Sequence, residues 1–216
     1  MHEMTADLRF AATVRALLLA ALVLVVGAAT AAAPAWPVQD GDIVFQTSRS
    51  AQSLAVQRAT GSPYSHMGMV FMRQGQAYVF EAAGRVRYTP LAAWVARGVG
   101  AHVVVKRLSD AVTLLDTAAV GRLRQEARSF DGRPYDPAFA WSDERIYCSE
   151  LVWKIYQRAL GIELGRLQKI RELKLDDSAV QEKIRERYGA HIPLDEPAIS
   201  PVAIFDSPRL VTVLRR

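Results

Sequence analysis

The sequence predicts an α+β domain with a small antiparallel sheet and flanking helices. Three observations carry that reading. Short β-rich runs cluster in the first half of the chain, one pair of them is joined by a tight turn, and amphipathic helical stretches lie on both sides. Half of the 216 residues are apolar and 23% are charged, which is globular composition and excludes a disordered or low-complexity scaffold. The formal charge of +5 is spread along the chain rather than gathered into a basic block, so no nucleic-acid partner is expected. The one cysteine, Cys148, excludes an intrachain disulfide, a CxxC redox pair and any multi-cysteine metal cage.

Residues 1–35 differ from the rest. Arg9 and Arg15 precede an apolar run, Ala16 to Ala29, which ends in the alanine-rich stretch Thr30 to Ala35. A basic lead, a short hydrophobic core and A-x-A spacing predict a secretory signal with cleavage before Trp36. A membrane anchor over residues 9–33 is the alternative, and the run is at the short end for a span. The expected location is periplasmic or secreted, with residues 36–216 as the working domain and contact with a membrane only through an uncleaved N-terminal segment.

Along that domain, Gly41 to Gln46 reads as a strand entered by a turn. Ser48 to Thr60 reads as a helix capped by Ser48 or Ser50, stopped by Gly61-Ser62-Pro63. His66 to Met72 and Gln76 to Glu81 form a hairpin about Gln74-Gly75. Val86 to Thr89 is a third strand, Leu91 to Arg97 a helical turn, and His102 to Leu108 a valine-rich strand. Leu114 to Phe130 has helical periodicity, and a turn-rich aromatic loop, 131–147, follows it. Cys148 to Leu160 is a helix with Leu151, Val152 and Ile155 on its apolar side and Gly161 as its stop. The charged stretch 166–188 reads as helical, Ser200-Pro201 opens one more turn, and Val211 to Leu214 closes as a strand.

The chain has no phosphate-binding glycine loop, no H-E-x-x-H, no G-x-S-x-G and no G-x-G-x-x-G. Cys148 stands where loop becomes helix, and a thiol in that first turn faces unpaired N–H groups that favour a thiolate. A lone cysteine is otherwise a small buried hydrophobe; a thiolate beside an imidazole is an acyl-transfer nucleophile. Two-residue turn geometry makes cross-strand partners sum to 149, which puts His66, Gly68, Val70, Val79 and Glu81 on one face. His66 and Glu81 are then diagonal neighbours with Gly68 leaving room between them. Glu81 is the only charge between Arg73 and Arg85, and a carboxylate in so apolar a strand needs a partner. The alternatives for the imidazole are His102, at a strand end, and His191, beside Pro193 on the expected surface. Ser149 and Glu150 suit the first turn of a helix, where hydroxyls and acids satisfy free N–H groups. Asp42 reads as a turn brace. Tyr64, Tyr147 and Trp141 are candidates to line a substrate cleft.

The segments Gly41-Asp42-Ile43-Val44-Phe45, Ser65-His66-Met67-Gly68-Met69-Val70 and Tyr78-Val79-Phe80-Glu81-Ala82 resemble the strand motifs of NlpC-type papain-like cysteine peptidases. Here Tyr147-Cys148-Ser149-Glu150-Leu151 follows the histidine instead of preceding it, as in the circularly permuted, YiiX-like papain-like amidases. The resemblance runs from Asp40 to about Leu214. It implies a circularly permuted papain-like fold and a catalytic set of Cys148, His66 and Glu81. It also implies amide hydrolysis without metal or organic cofactor, often in cell-wall peptides, although members of the wider superfamily act on lipids as acyltransferases or thioesterases. No separate wall-binding module is present in the sequence. The expected substrate is therefore a peptide or acyl compound, with peptidoglycan stem peptides in view. An acyl-transferring or lipid-cleaving enzyme and a catalytically idle binding domain are the alternatives. Tyr64 is the candidate second oxyanion donor beside the Cys148 N–H.

Overall fold

The computed structural model describes residues 36–216, and the expected export signal, 1–35, lies outside the described residues. A six-stranded sheet runs through the domain. Its strands are β1 (Ile43–Gln46), β2 (His66–Arg73), β3 (Gln76–Ala83), β4 (Arg85–Pro90), β5 (Val104–Leu108) and β8 (Leu210–Arg215). They lie in the order β4-β3-β2-β1-β5-β8, and every pairing is antiparallel. The helices are α1 (Ser53–Thr60), α2 (Leu91–Ala96), α3 (Ala111–Leu114), α4 (Thr117–Phe130), α5 (Cys148–Leu160), α6 (Ser178–Tyr188) and α7 (Pro201–Phe205). A two-stranded ladder, β6 (Gln168–Lys169) with β7 (Pro197–Ala198), lies apart from the main sheet.

The hairpin register is the one that the turn chemistry predicts. Gln74 and Gly75 both have positive φ, 50° and 76°, which is the primed turn that matches strand twist. Met69 pairs with Phe80, Val70 with Val79 and Arg73 with Gln76. The alternation sends Met67, Met69, Phe71 and Phe80 into the main core, where Leu151, Val152 and Ile155 of α5 meet them. The opposite face carries Val79 and Glu81 and is covered by Trp94 of α2, which is fully buried.

Helix α5 spans the residues that its periodicity predicts. It stops at Gly161, whose φ of 66° lets its N–H return to Gln157 O. At its start Glu150 accepts from Tyr147 N at 3.4 Å, and Ser149 Oγ donates to Ile199 O at 2.7 Å. Asp42 braces its turn by accepting from Gln39 N at 2.9 Å, and Arg107 grips both its oxygens at 2.7 Å.

Three predicted elements differ from the structure. The first helix begins at Ser53, not Ser48. Ser65 Oγ accepts from Ser48 N and pairs with Ser53 Oγ, so the serines expected as caps tie a turn to the start of β2 instead. The helix expected from Leu114 to Phe130 is broken at 115–116. There Asp116 leaves helical backbone and caps α4 by accepting from Ala119 N at 2.7 Å. The charged stretch 166–188 is α-helical only from Ser178, where Asp177 is the cap; upstream it holds a short 3-10 turn, Ile170–Glu172, and its charges form exposed pairs, Arg166 with Glu172 and Lys169 with Asp195.

Gly68 sits opposite Val44 of β1, and a Cβ there would lie 2.4 Å from Val79 Cγ1 and 2.8 Å from the Phe80 carbonyl oxygen. The carbonyl belongs to the neighbouring strand and cannot rotate away. Gly68→Ala is therefore expected to destabilise the domain by about 1–3 kcal/mol, as overpacking does. A thermal melt matching the parent would show that β2 and β3 are not packed this closely.

Candidate active site

His66 opens β2, and Glu81 lies near the end of β3. Their side chains meet at 2.6 Å, from His66 Nε2 to Glu81 Oε2. Glu81 is fully buried and its oxygens are surrounded by donors. Trp94 Nε1 donates to Oε2 at 2.9 Å, Thr89 Oγ1 donates to Oε1 at 2.6 Å, and an Arg97 Nη2 hydrogen reaches Oε2. The His66 ring also stacks on Trp94, with centroids 5.9 Å apart and planes 28° from parallel. The ring is thus fixed in both position and rotation.

Cys148 lies close enough to the His66 ring to act on its charge. Burial alone would lower the His66 pKa. The Cys148 and Glu81 partners outweigh it and raise the value to about 9. Burial likewise acts to raise Glu81, but His66, Thr89 and Arg97 bring it down to about 2. Cys148, His66 and Glu81 are therefore brought together in a buried setting.

Cys148 is the first residue of α5, where backbone N–H groups have no intrahelical acceptor. A carbonyl brought to the sulfur would lie near that positive helix end.

Of the aromatic residues expected around a cleft, Tyr147 lines the cavity that reaches Cys148. Its hydroxyl accepts from Ile199 N at 3.1 Å. Tyr64 and Trp141 line neither the cavity that contains Cys148 nor the one that contains His66. Tyr64 is buried in the core, its ring stacked on Phe205 at 4.4 Å and its hydroxyl accepting from Arg215 Nη1 at 3.2 Å. Trp141 packs edge-on against Trp153, with Lys154 Nζ 4.7 Å above its ring. His102 and His191 are both exposed and stand outside both cavities.

Sequence reasoning missed Tyr135. It lies in the aromatic loop, and its backbone is tied down by the N–H that it donates to Gly84 O at 2.9 Å and by a bridge to Ile146. Its side chain lines both cavities. Burial and the nearby Cys148 charge both raise its pKa, so it stays a phenol. Gln52 Nε2 donates to the Tyr135 oxygen, while Gln52 Oε1 accepts from Arg187 Nη2 at 2.7 Å. Arg187 thereby fixes which end of the amide faces the tyrosine. Because the tyrosine oxygen is accepting, its own proton is available to donate toward the site. The one signal in the sequence was Pro134-Tyr135 before the cysteine helix. Gln52 was hidden inside the helix expected from Ser48, and Arg97 at the end of a helical turn gave no sign of its carboxylate partner.

Comparison with known proteins follows this geometry. The profile of the permuted papain-like amidase family, YaeF/YiiX, C92, matches residues 37–214. The uncharacterized protein YiiX of Escherichia coli strain K12 is 49% identical over 181 residues, 84% of this chain and 88% of the relative. A crystal structure described as the metalloprotein yiiX from Escherichia coli O157:H7 superimposes with a TM-score of 0.80 at 50% identity. That match covers 84% of this chain and 99% of the other. A permuted order of cysteine and histidine segments, a six-stranded antiparallel sheet and a profile match over nearly the whole described domain all agree: the chain belongs to the permuted papain-like amidases of the YaeF/YiiX, C92 family.

Proposed function

We propose that this chain is an exported cysteine amidase whose nucleophile is Cys148, whose acid and base is His66, and whose orienting carboxylate is Glu81. The single observation that supports it most is the buried 2.6 Å contact of His66 with Glu81, with Cys148 acting on the same ring. The thiolate attacks the substrate carbonyl carbon, and the oxygen takes the negative charge between the Cys148 N–H and the Tyr135 hydroxyl. As the C–N bond breaks, the His66 imidazolium gives its proton to the departing nitrogen, leaving a thioester on Cys148. Water then adds to the thioester, with neutral His66 taking its proton. The carboxylic acid product leaves and the thiolate–imidazolium pair is restored. Glu81 holds the ring and stabilises its charged form throughout.

In an exported enzyme, peptidoglycan stem peptides are one source of amides. Acyl amides and esters are the second reading, favoured by the apolar character of the cavity at Cys148. The E. coli O157:H7 neighbour is described as a metalloprotein. Among the described residues here, no group of three or more His, Cys, Asp or Glu side chains is arranged to hold a metal ion. Glu81 is already committed to His66, Thr89, Trp94 and Arg97, so no step in this mechanism runs through a metal.

Cys148→Ala and His66→Ala are expected to abolish turnover while keeping the parent's far-UV circular dichroism, and Glu81→Gln to lower it less. Full activity in His66→Ala would move the base elsewhere. Tyr135→Phe is expected to cost about 10²–10³ in kcat, the usual effect of losing one oxyanion donor; an unchanged kcat would remove it from that role. Because His66 titrates near 9, kcat/KM should fall as pH rises through that value, when the proton for the leaving group is lost. Glu81→Gln should shift that limb toward the ordinary imidazole value of 6.5, read by NMR titration of the ring. A parent midpoint near 6.5 would contradict the coupled site. The stability contributed by His66 is fully present below 6.5 and is lost as pH rises through about 9. Glu81 has the opposite sign: its contribution is present above 4.5 and fades as pH falls toward 2.

A further inference from the structure

Proton transfer fixes where the two halves of a substrate lie. The nitrogen that takes its proton from His66 leaves on the side of the groove that contains that ring. This groove has about 1400 Å3 of unfilled space open to solvent, and its walls are charged. Arg97, Lys183 and Arg187 stand there against one acid, Glu186. Lys183 Nζ donates to Glu186, which cancels that pair. The sheet register adds to the excess. Arg87 pairs with Glu81, and Arg85 pairs with Ala83 of the groove wall, so both exposed arginines stand on the groove's face of the sheet.

The charges at the centre leave one cation over. A Cys148 thiolate and the Glu81 carboxylate supply two negative charges, whereas His66, Arg97 and Arg187 supply three positive ones. Arg187 is spent on the neutral amide oxygen of Gln52 and the ring of Phe139 rather than on a carboxylate. Arg97 is the cation placed to use the excess. Its Nη2 donates to Glu81 and lies 3.5 Å from His66 Nε2. Among the described residues no acceptor reaches its Nη1 or Nε, and its side chain is 35% exposed at the groove. A planar guanidinium offers such a free edge to a carboxylate.

An anion held there sits beside the ring that protonates the departing nitrogen. It therefore belongs to the residue that carries that nitrogen, and an α-carboxylate, one carbon away, meets the requirement. A neutral amine, or a peptide that continues past the cleaved bond, brings no charge to Arg97. A phosphate dianion overshoots a single unmatched cation. We propose that the groove beside His66 is an anion subsite in which Arg97 holds the free carboxylate of the leaving group, so that the bond cut is the amide to a terminal amino acid. This rests on Cys148 and His66 acting as proposed above. The C–S bond forms as the C–N bond breaks, the nitrogen takes the His66 proton, and the amino acid departs with its carboxylate on Arg97. Water then releases the acyl group from the sulfur.

The test holds the acyl part constant and changes the leaving group. The full chain is given acetylalanyl and octanoyl amides of alanine, of alaninamide and of aminomethylphosphonate, with products identified by mass. kcat/KM is expected to be about tenfold higher for alanine than for alaninamide, the effect of one charge-assisted hydrogen bond, and the gap should narrow as salt rises. Arg97→Gln also touches Glu81 and lowers both rates, so the ratio is the readout: it should fall to about one, with part regained in Arg97→Lys. Arg87→Gln, farther out on the same face, should keep most of it. Equal cleavage of the two amides by the parent, a ratio kept in Arg97→Gln, or a preference for the phosphonate would each overturn the proposal. A second measurement needs no turnover: protection of Cys148 from iodoacetamide by free alanine or alaninamide, read by intact mass. Alanine should protect at about one-tenth the concentration, and Arg97→Gln should erase the difference. Selective protection without hydrolysis of any amide keeps the subsite and removes the hydrolase reading. Equal protection by the two removes the subsite, whatever is hydrolysed.

Discussion

The contact between the buried Glu81 carboxylate and the His66 ring sets the terms for everything around it. An ionised acid with no solvent exposure costs several kcal/mol of desolvation unless its lone pairs are occupied. Here a tryptophan N–H, a threonine hydroxyl, a guanidinium and the imidazole occupy them. The first three come from α2, β4 and the residue that follows α2, so the far edge of the sheet and its covering helix exist in part to hold one charge. The 2.6 Å contact in turn demands the hairpin register. That register demands a primed turn at Gln74-Gly75 and a residue without a side chain at 68, where any Cβ would meet the neighbouring strand. The site's electrostatics and the sheet's geometry are one constraint.

Much of this was legible because the relevant signals are local. The Gln74-Gly75 turn fixes which residues share a face, and that alone places Glu81 near His66 without any knowledge of the rest of the fold. The extent of α5 follows from its apolar positions and Gly161. The parts that were hidden depend on contacts across long separations. Nothing near Ser48 shows that Ser65 will take its N–H, and so the helix start was placed five residues early. Nothing near Leu114 distinguishes Asp116 as a cap from Asp116 as an ordinary helical surface residue, although it breaks the helix there. Tyr64 had the composition of a cleft residue, but its ring is stacked on Phe205, more than a hundred positions away. Tyr135 stood in a loop with several aromatic residues, and only the placement of Gln52 separates it from them.

Membership of the permuted amidase family gives the order of the segments a physical meaning. The proposed nucleophile, Cys148, stands at the start of a helix and His66 at the start of a strand, and neither position fixes which comes first along the chain. What must be conserved is that α5 packs against β2 and β3, and Met67, Met69 and Phe80 meeting Leu151, Val152 and Ile155 secure that. The core thus carries the alignment of sulfur and ring, and connectivity is free to vary.

Helix α6 contributes to two things at once. Val180 and Ile184 wall the apolar cavity, and one turn further on Arg187 holds the amide of Gln52 against Tyr135. A single rigid rod therefore connects the width of that cavity to the aim of a phenol proton. A shift of the helix large enough to widen one would loosen the other, so the space beside Cys148 and the orientation of the Tyr135 hydroxyl are mechanically linked.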